Sequence, residues 1–255
     1  MKQLLIDAGN TRLKWAMLRE QRLGRVRVAE WSGRSVARLA GRILDSRCDG
    51  VLVCSVAGGV LERALRQAAH SAGAPAPRFI RSTRHAAGVR NGYVQPWRLG
   101  ADRWVAMLGA RARYPGRALC IADVGTALTI DLLDTQGRHR GGLLTPGPSL
   151  MVDSLLRDTA GIRRRAGPRL GAAARGAATF GRSTRAGLLS GSALACAALI
   201  ERSLREARGE LGGRPRLLLA GGGAGPVASF LRVAYERVDA LVIQGLAMLA
   251  ALNSR

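Results

Sequence analysis

A short pattern occurs twice in this chain, once at the N-terminus and once near the middle. Asp7-Ala8-Gly9-Asn10-Thr11 and Asp123-Val124-Gly125-Thr126-Ala127 each place an aspartate after an apolar run and before a glycine-centred turn that leads into a second apolar run. Glycine and asparagine accept the positive φ of tight hairpin turns. The repeat therefore predicts one strand–turn–strand unit in each half, as expected for two facing nucleotide-binding lobes.

Apolar runs elsewhere alternate with longer helical patterns, which favours an α/β fold. We expect two lobes, residues 1–115 and 116–255. The predicted strands are 3–7, 12–18, 24–30, 50–56, 78–80, 118–123, 128–133 and 216–220. The predicted helices are 34–47, 58–72, 105–114, 146–158, 184–208, 226–234 and 239–252. The Arg- and Gly-rich stretch 161–182 is expected to be mobile.

The formal net charge of +23 raises the question of nucleic-acid binding. Its distribution argues against a specific site, because arginines are scattered through every segment and only three Phe and three Tyr are available for stacking on bases. We expect no sequence-specific nucleic-acid partner, and only weak adhesion to polyanions.

Neither a membrane span nor a secretory leader is expected. The longest apolar run, 240–252, is interrupted by Gln244 and Gly245, and the N-terminus leads directly into a predicted strand. The four cysteines are far apart, without the spacing of a zinc site or a disulfide framework, so they are interpreted as buried free thiols. A cytoplasmic protein is the expectation.

The first turn has the chemistry of a phosphate site. Backbone amides around Gly9 can approach phosphate oxygens closely, and Thr11 and Lys14 add a hydroxyl and a positive charge. Asp7 would hold Mg²⁺, directly or through water. Taken alone, the same residues also fit an ordinary hairpin.

The second turn strengthens this interpretation because Asp123 and Thr126 repeat the chemistry of the first. Two such turns can bind a triphosphate from both sides, and phosphoryl transfer depends mainly on positioning and charge stabilisation. Asp123 could alternatively only cap its turn, and Asp131, farther along the strand, is interpreted as structural.

Between the two halves lies Gly100-Ala101-Asp102-Arg103. Asp102 could accept a proton from a substrate hydroxyl, and Arg103 could bind an anionic group, although Asp102 could instead be a simple helix N-cap. Gly221-Gly222-Gly223 could accommodate a nucleoside or be a flexible connection. The chain contains no P-loop and no protein-kinase motif set.

These motifs resemble those of the type III pantothenate kinases, the family that includes proteins once called Bvg accessory factors. The resemblance extends from Asp7 to about Gly223. The matching segments are Asp7–Thr11 with Lys14, Gly100–Arg103, Asp123–Ala127 with Thr129 and Asp131, Gly141-Gly142, Pro146-Gly147, Thr159-Ala160, and Phe180-Gly181 followed by Thr184 and Gly191.

The resemblance implies a duplicated, two-lobed actin-like ATPase (ribonuclease H-like) fold, a homodimer, and phosphorylation of the pantothenate hydroxyl by ATP with Mg²⁺. It implies that Asp102 is the proton acceptor and that Asp123 holds a monovalent cation, K⁺ or NH₄⁺. The implied pantothenate contacts are Tyr93, Gly100, Ala101, Asp102, Arg103 and, from the partner subunit, Thr184. The implied ATP contacts are Asp7, Ala8, Gly9, Asn10, Thr11, Arg12, Leu13, Lys14 and Thr126.

The chain departs from the family pattern at two places, Gly161-Ile162-Arg163 in place of Leu-Pro and Gly187 in place of alanine. Two alternatives to the pantothenate kinase remain open at this point. One is a regulatory or nucleic-acid-binding accessory protein that keeps the fold. The other is a related kinase acting on another small hydroxylated substrate.

Overall fold

The computed structural model describes residues 1–33, 35–44, 47–167 and 178–252. The chain forms two compact units. Unit 1 comprises Met1–Gly116, Gln136–His139 and Ala240–Arg255, and unit 2 comprises Arg117–Thr135 and Arg140–Asp239.

The strands and helices follow in chain order. The strands are β1 Lys2–Ala8, β2 Arg12–Arg19, β3 Arg22–Leu23, β4 Arg27–Glu30, β5 Gly50–Ser55, β6 Arg78–Ile80, β7 His85–Ala86, β8 Val89–Arg90, β9 Leu119–Val124, β10 Ala127–Leu133, β11 His139–Pro146, β12 Arg216–Ala220 and β13 Glu236–Arg237. The helices are α1 Val36–Ile43, α2 Gly59–Ser71, α3 Ala101–Arg113, α4 Pro148–Asp158, α5 Ala160–Ala166, α6 Thr184–Glu210, α7 Ala224–Ala228 and α8 Leu241–Leu252. A 3-10 turn covers Pro96–Arg98.

The main sheet of unit 1 has the order β3-β2-β1-β5-β6, and β4 also pairs with β2. β1 and β2 form the predicted antiparallel hairpin, while β1, β5 and β6 are parallel. The apolar side chains of β1 and β5 are almost fully buried, among them Leu4, Ile6, Val51 and Val53, and they pack with α1 and α2. This core fixes the end of β1 where Asp7 lies.

The sheet of unit 2 has the order β11-β10-β9-β12-β13. Its β9–β10 hairpin is antiparallel and its β9, β12 and β13 strands are parallel, so it repeats the arrangement of unit 1. Cys196, Ala197 and Ile200 of α6 pack against the buried side chains of this sheet. The duplication predicted from the two Asp-x-Gly turns is therefore confirmed.

The C-terminal helix α8 belongs to unit 1, where it packs closely on α3. A Cβ added to Gly245 would lie 2.0 Å from the Val105 carbonyl oxygen, and one added to Gly109 would lie 2.7 Å from the Leu241 carbonyl oxygen. Glycine at both positions lets the two backbones approach each other. The sequence-based division placed everything after residue 115 in the second lobe, whereas 136–139 and 240–255 lie in unit 1.

We expect Gly245→Ala to destabilise the protein by about 1 to 3 kcal/mol, because the added methyl group forces α8 away from α3. Urea denaturation would measure the change. Gly41→Ala in α1 is the matched control, since a Cβ there meets nothing within 4 Å. Removing a helical glycine without a clash should be neutral or stabilising, by up to about 1 kcal/mol. Equal stability of the Gly245→Ala variant and the wild type would contradict the close packing.

Several local expectations differ from the structure. Of the strand predicted for 24–30, only 27–30 forms a strand, β4, and it follows the short strand β3 and Gly24, whose amide donates to the Met17 carbonyl (2.9 Å). β11 and α5 were not predicted, and α3 begins at Ala101 rather than at 105. The N-cap of α3 is Gly100, so Asp102 lies inside the first turn instead of capping it. Of the stretch predicted to be mobile, 168–177 lies outside the described residues.

One helix in the described part of the chain, α6, is long and apolar enough to cross a membrane by length and composition. Half of the qualifying window is buried inside the structure, as in the core helix of a folded domain. Length and composition alone are weak evidence for a membrane span.

Candidate active site

The first turn connects β1 to β2 and carries the Asp7–Lys14 pair. Asp7 and Lys14 are directly opposite each other in the antiparallel register, and Lys14 Nζ lies 3.6 Å from Asp7 Oδ2. The Asp7 side chain is largely buried, with 12% of its surface exposed. The Gly9 amide closes the turn by donating to the Arg12 carbonyl (3.0 Å). A carboxylate and an ammonium group are thus held side by side at the end of a buried strand.

Trp31, which the motif analysis did not single out, holds this turn from the end of β4. Its indole Nε1 donates to the Gly9 carbonyl (2.9 Å), and its backbone amide donates to the Thr11 carbonyl (3.2 Å). The indole is half-buried against the core of unit 1. No local pattern links a tryptophan to a turn twenty residues earlier, so only the β2–β4 pairing reveals the contact.

The second turn has a similar construction in unit 2. The Gly125 amide donates to the Ala127 carbonyl (2.9 Å), and the Gly147 amide donates to the Thr126 carbonyl (2.8 Å). A Cβ at Gly147 would lie 2.2 Å from the Gly125 carbonyl oxygen, so only glycine fits there. Thr126 itself is exposed at the tip of the turn.

Arg103, which is buried, and Tyr93, which is half-buried, form a polar pair beside Asp102. Arg103 Nη1 donates to Tyr93 Oη at 2.7 Å, and the guanidinium carbon lies 5.5 Å from the centroid of the tyrosine ring. Only 6% of Arg103 is exposed. The Asp102 carboxylate accepts the Arg103 backbone amide at 2.8 Å, which orients it at the start of α3. A Cβ at Gly100 would lie 2.7 Å from Asp102 Oδ1, so the glycine lets the carboxylate keep this orientation.

Two further residues that sequence reasoning missed support Tyr93. The Asn91 side chain accepts the Tyr93 amide (3.0 Å) and donates to the Thr83 and Pro96 carbonyls, so it fixes the loop before the 3-10 turn. His139 is buried and stacks on the Tyr93 ring, with 5.9 Å between centroids and 16° between planes. His139 is distant in sequence, and a lone histidine gives no signal for such a role.

One buried thiol, that of Cys54, is within the electrostatic influence of both Asp7 and Asp102. Burial raises the pKa of the Cys54 thiol well above its usual value, and the charges of Asp7 and Asp102 raise it further, while Arg81 opposes them. Both carboxylates therefore act on one side chain of β5, the strand that pairs with β1. Burial likewise raises the pKa of Cys120 to about 12, so these cysteines are protonated and inert at neutral pH. The interpretation as buried free thiols is confirmed except for Cys48, which is half-buried.

Asp123 lies in unit 2, at the end of β9, beside the loop that follows β12. A Cβ at Gly221 would lie 2.4 Å from Asp123 Oδ1 and 2.3 Å from the Val124 carbonyl oxygen. The Gly223 amide also donates to the Val124 carbonyl (2.8 Å). The glycine run 221–223 thus packs closely against the end of β9, just before the second turn. The predicted convergence of Asp7, Asp102 and Asp123 stays a prediction.

Thr184 lies at the start of α6, after Ser183, whose hydroxyl caps the helix by accepting the Ala186 amide (3.1 Å). It borders an apolar cavity of about 380 Å³ between α4 and α6. The other lining residues are Met151, Val152, Leu155, Gly187, Leu188, Gly191 and Ser192. Gly187, one of the departures from the family pattern, is exposed here, and a Cβ would meet nothing.

No group of three or more His, Cys, Asp or Glu side chains that could hold a metal ion occurs among the described residues. Asp7 is a single carboxylate, the donor type that Mg²⁺ combines with substrate phosphates. Around Asp123, one carboxylate oxygen and the Val124 carbonyl oxygen lie close together against Gly221, where a Cβ would clash with both.

Comparison with known proteins identifies the family. The sequence profile described as "Type III pantothenate kinase" matches residues 3–206, which is most of the chain. The chain belongs to the type III pantothenate kinase family. A type III pantothenate kinase from Herminiimonas arsenicoxydans is 38% identical over 250 residues, covering 95% of each chain. Another, from Paracidovorax citrulli, is 34% identical over 265 residues and covers both chains completely.

Solved structures agree with this family at the level of fold. A 2-dehydro-3-deoxygalactonokinase from Sinorhizobium meliloti has a TM-score of 0.61 with 15% identity and 99% coverage of both chains. A Baf family transcriptional activator from Campylobacter jejuni has a TM-score of 0.58 with 18% identity and 98% coverage of both. The 2-hydroxyisocaproyl-CoA dehydratase activator of Clostridium difficile, solved with ADPNP, has a TM-score of 0.54 with 13% identity, covering 100% of this chain and 96% of that one. The actin-like ATPase fold is confirmed.

Proposed function

We propose that this chain transfers the γ-phosphoryl group of ATP to the primary hydroxyl of pantothenate and forms 4′-phosphopantothenate, the first step toward coenzyme A. One observation carries the proposal beyond family membership. Asp102, oriented at the start of α3, lies next to the hydrogen-bonded Arg103–Tyr93 pair, and both Asp102 and Asp7 raise the pKa of the Cys54 thiol. The proposed base Asp102, the proposed anion-binding residue Arg103 and the proposed phosphate-binding turn between β1 and β2 thus all belong to unit 1.

Asp102 is the proposed general base. The pantothenate hydroxyl oxygen attacks the γ-phosphorus, the bond to the leaving oxygen of ADP breaks, and the hydroxyl proton passes to an Asp102 carboxylate oxygen. A positioned base typically contributes about 10² to 10⁴ in rate. The amide donation from Arg103 to Asp102 Oδ1 supports this role, because it limits how the carboxylate can rotate.

Arg103 is proposed to bind the pantothenate carboxylate. A guanidinium group is a planar fork of N–H donors, which suits a carboxylate, and the bond from Arg103 to Tyr93 Oη orients it. Tyr93, Gly100 and Ala101 would line the same site. Asn91 and His139 would keep Tyr93 in place.

The proposed ATP contacts are the backbone and side chains of 7–14 and Thr126 in the second turn. Lys14 would neutralise phosphate charge, and Asp7 would hold Mg²⁺, directly or through water, together with the phosphates. Bound Mg²⁺ would reduce the negative charge that opposes nucleophilic attack. The oxygen atoms around Asp123 and Gly221 suit a monovalent cation, K⁺ or NH₄⁺.

A homodimer and a cytoplasmic location complete the proposal, with Thr184 of the partner subunit contacting pantothenate. The apolar cavity between α4 and α6 and the exposed Leu150, Leu155 and Leu194 nearby support a contact surface on these helices. We propose no specific nucleic-acid partner and no membrane association.

Leu155→Glu should therefore convert a dimer into a monomer, because a charge cannot be buried unpaired in an apolar interface. Light scattering on the eluting protein would measure the mass. Val60→Glu is the control, since Val60 is an exposed apolar residue in unit 1. An unchanged dimer in Leu155→Glu would exclude this surface.

The decisive test of function is an assay of the purified chain with ATP and Mg²⁺, with and without K⁺, against pantothenate and a panel of simple sugars. The expected result is one phosphorylated product, from pantothenate. Turnover of another hydroxylated compound would identify a related kinase instead. Absence of turnover together with sequence-selective DNA binding at physiological salt would favour the accessory-protein alternative.

A further inference from the structure

We propose that Trp31 is a positioning residue for the nucleotide, acting through the turn between β1 and β2. This role of Trp31 rests on the proposed function in one respect, the binding of ATP phosphates by this turn. Trp31 belongs to none of the motifs described above, but it donates to two carbonyl oxygens of the turn, those of Gly9 and Thr11.

The geometry of the peptide group explains what these bonds do. In a trans peptide, the C=O of one residue and the N–H of the next point in opposite directions. Holding the Gly9 carbonyl toward the Trp31 indole therefore turns the Asn10 amide away from it. The Trp31 backbone amide holds the Thr11 carbonyl, so the N–H of Arg12 in the same peptide group likewise points away from Trp31.

The consequence is electrostatic. A phosphate oxygen is attracted by amide N–H groups and repelled by carbonyl oxygens, so a three-residue turn binds it only while its carbonyls face elsewhere. Without Trp31 the peptide groups at Gly9 and Thr11 could rotate, since glycine restricts its own backbone least. Trp31 keeps them fixed before the nucleotide arrives, which lowers the ordering cost of binding.

The position of Trp31 makes the restraint firm. Its backbone extends the β2–β4 pairing, in which Arg12 lies opposite Glu30, and its ring packs on the buried core of unit 1. The indole therefore cannot move with the turn and acts as a fixed donor.

Trp31→Phe tests the proposal because it keeps an aromatic ring on the core and removes only the Nε1–H donor. Loss of one neutral hydrogen bond should weaken ATP binding by about two- to tenfold, measured as Kd by calorimetry and as the KM for ATP. The KM for pantothenate should change by less than about twofold. Trp15→Phe is the matched control, since Trp15 is another half-buried indole on the same core, and it should leave both constants near the wild-type values.

Each outcome distinguishes the proposals. Weakened ATP binding in Trp31→Phe but not in Trp15→Phe supports the role of Trp31, even if pantothenate proves not to be the substrate. Equal ATP affinity of Trp31→Phe and wild type overturns it, as does an equal rise in both KM values. Should Trp31→Phe fail to fold, hydrogen exchange of the Trp31 indole N–H in the wild-type chain without ATP decides. Exchange much slower than that of an exposed indole supports a donor that is already fixed on the turn, and exchange as fast as that of an exposed indole overturns the role of Trp31.

Discussion

Asp102→Asn should bind ATP with unchanged affinity but transfer the phosphoryl group about 10² to 10⁴ times more slowly. The amide oxygen of asparagine can still accept the Arg103 backbone amide, so the first turn of α3 should keep its conformation. What is lost is the ability to take up the hydroxyl proton. The measurement is kcat with saturating ATP and pantothenate, together with the Kd for ATP.

Asp158→Asn is the control for this variant, because Asp158 is an exposed carboxylate paired with Arg157 on the surface. It removes the same charge from a strongly basic chain and should keep near wild-type turnover. If Asp102→Asn turned over within about threefold of wild type, Asp102 could not be the base, whatever the family resemblance implies.

Arg103→Gln should raise the KM for pantothenate by about 10- to 100-fold and leave the affinity for ATP within about twofold. Hydrogen bonds to a charged group contribute about 1.5 to 3 kcal/mol, and each 1.4 kcal/mol corresponds to a factor of ten. The expected loss is large because Arg103 is nearly fully buried and held by Tyr93. Steady-state kinetics with pantothenate varied at saturating ATP would measure it.

Arg98→Gln provides the matched comparison, since Arg98 lies five residues earlier on the 3-10 turn and is exposed. Its loss should change neither KM by more than about twofold. Tyr93→Phe removes only the hydroxyl that accepts from Arg103 and should give an intermediate rise of about two- to tenfold. Unchanged pantothenate KM in Arg103→Gln would show that the carboxylate binds elsewhere.

The two hairpins were the most predictable parts of the protein. Their signals are local, because an aspartate at a strand end followed by Gly9 or Gly125 specifies a turn through backbone conformation alone. The same local reasoning placed the start of α3 at 105 instead of Ala101 and left open whether Asp102 caps the helix, since Asp102 and Gly100 are both acceptable N-caps. Family motifs added roles for these residues that turn chemistry does not contain.

The residues around the motifs could not be predicted. Trp31, Asn91 and His139 act on the turn and on Tyr93 through strand pairing, a loop and ring stacking, and none of them has a characteristic spacing. Similarly, the assignment of α8 to unit 1 depends on Gly245 meeting Val105, a contact between helices that are far apart in the chain.

The amino-acid order was thus sufficient for the α/β class, the internal duplication and the positions of the polar turns, because each follows from the period of apolar residues or from backbone preferences over a few positions. Tertiary structure alone decided which side chains restrain those turns, which unit contains α8, and that Asp7 and Asp102 act on the same thiol. These features depend on long-range packing, in which distant residues meet only after the sheets and helices have formed around their cores.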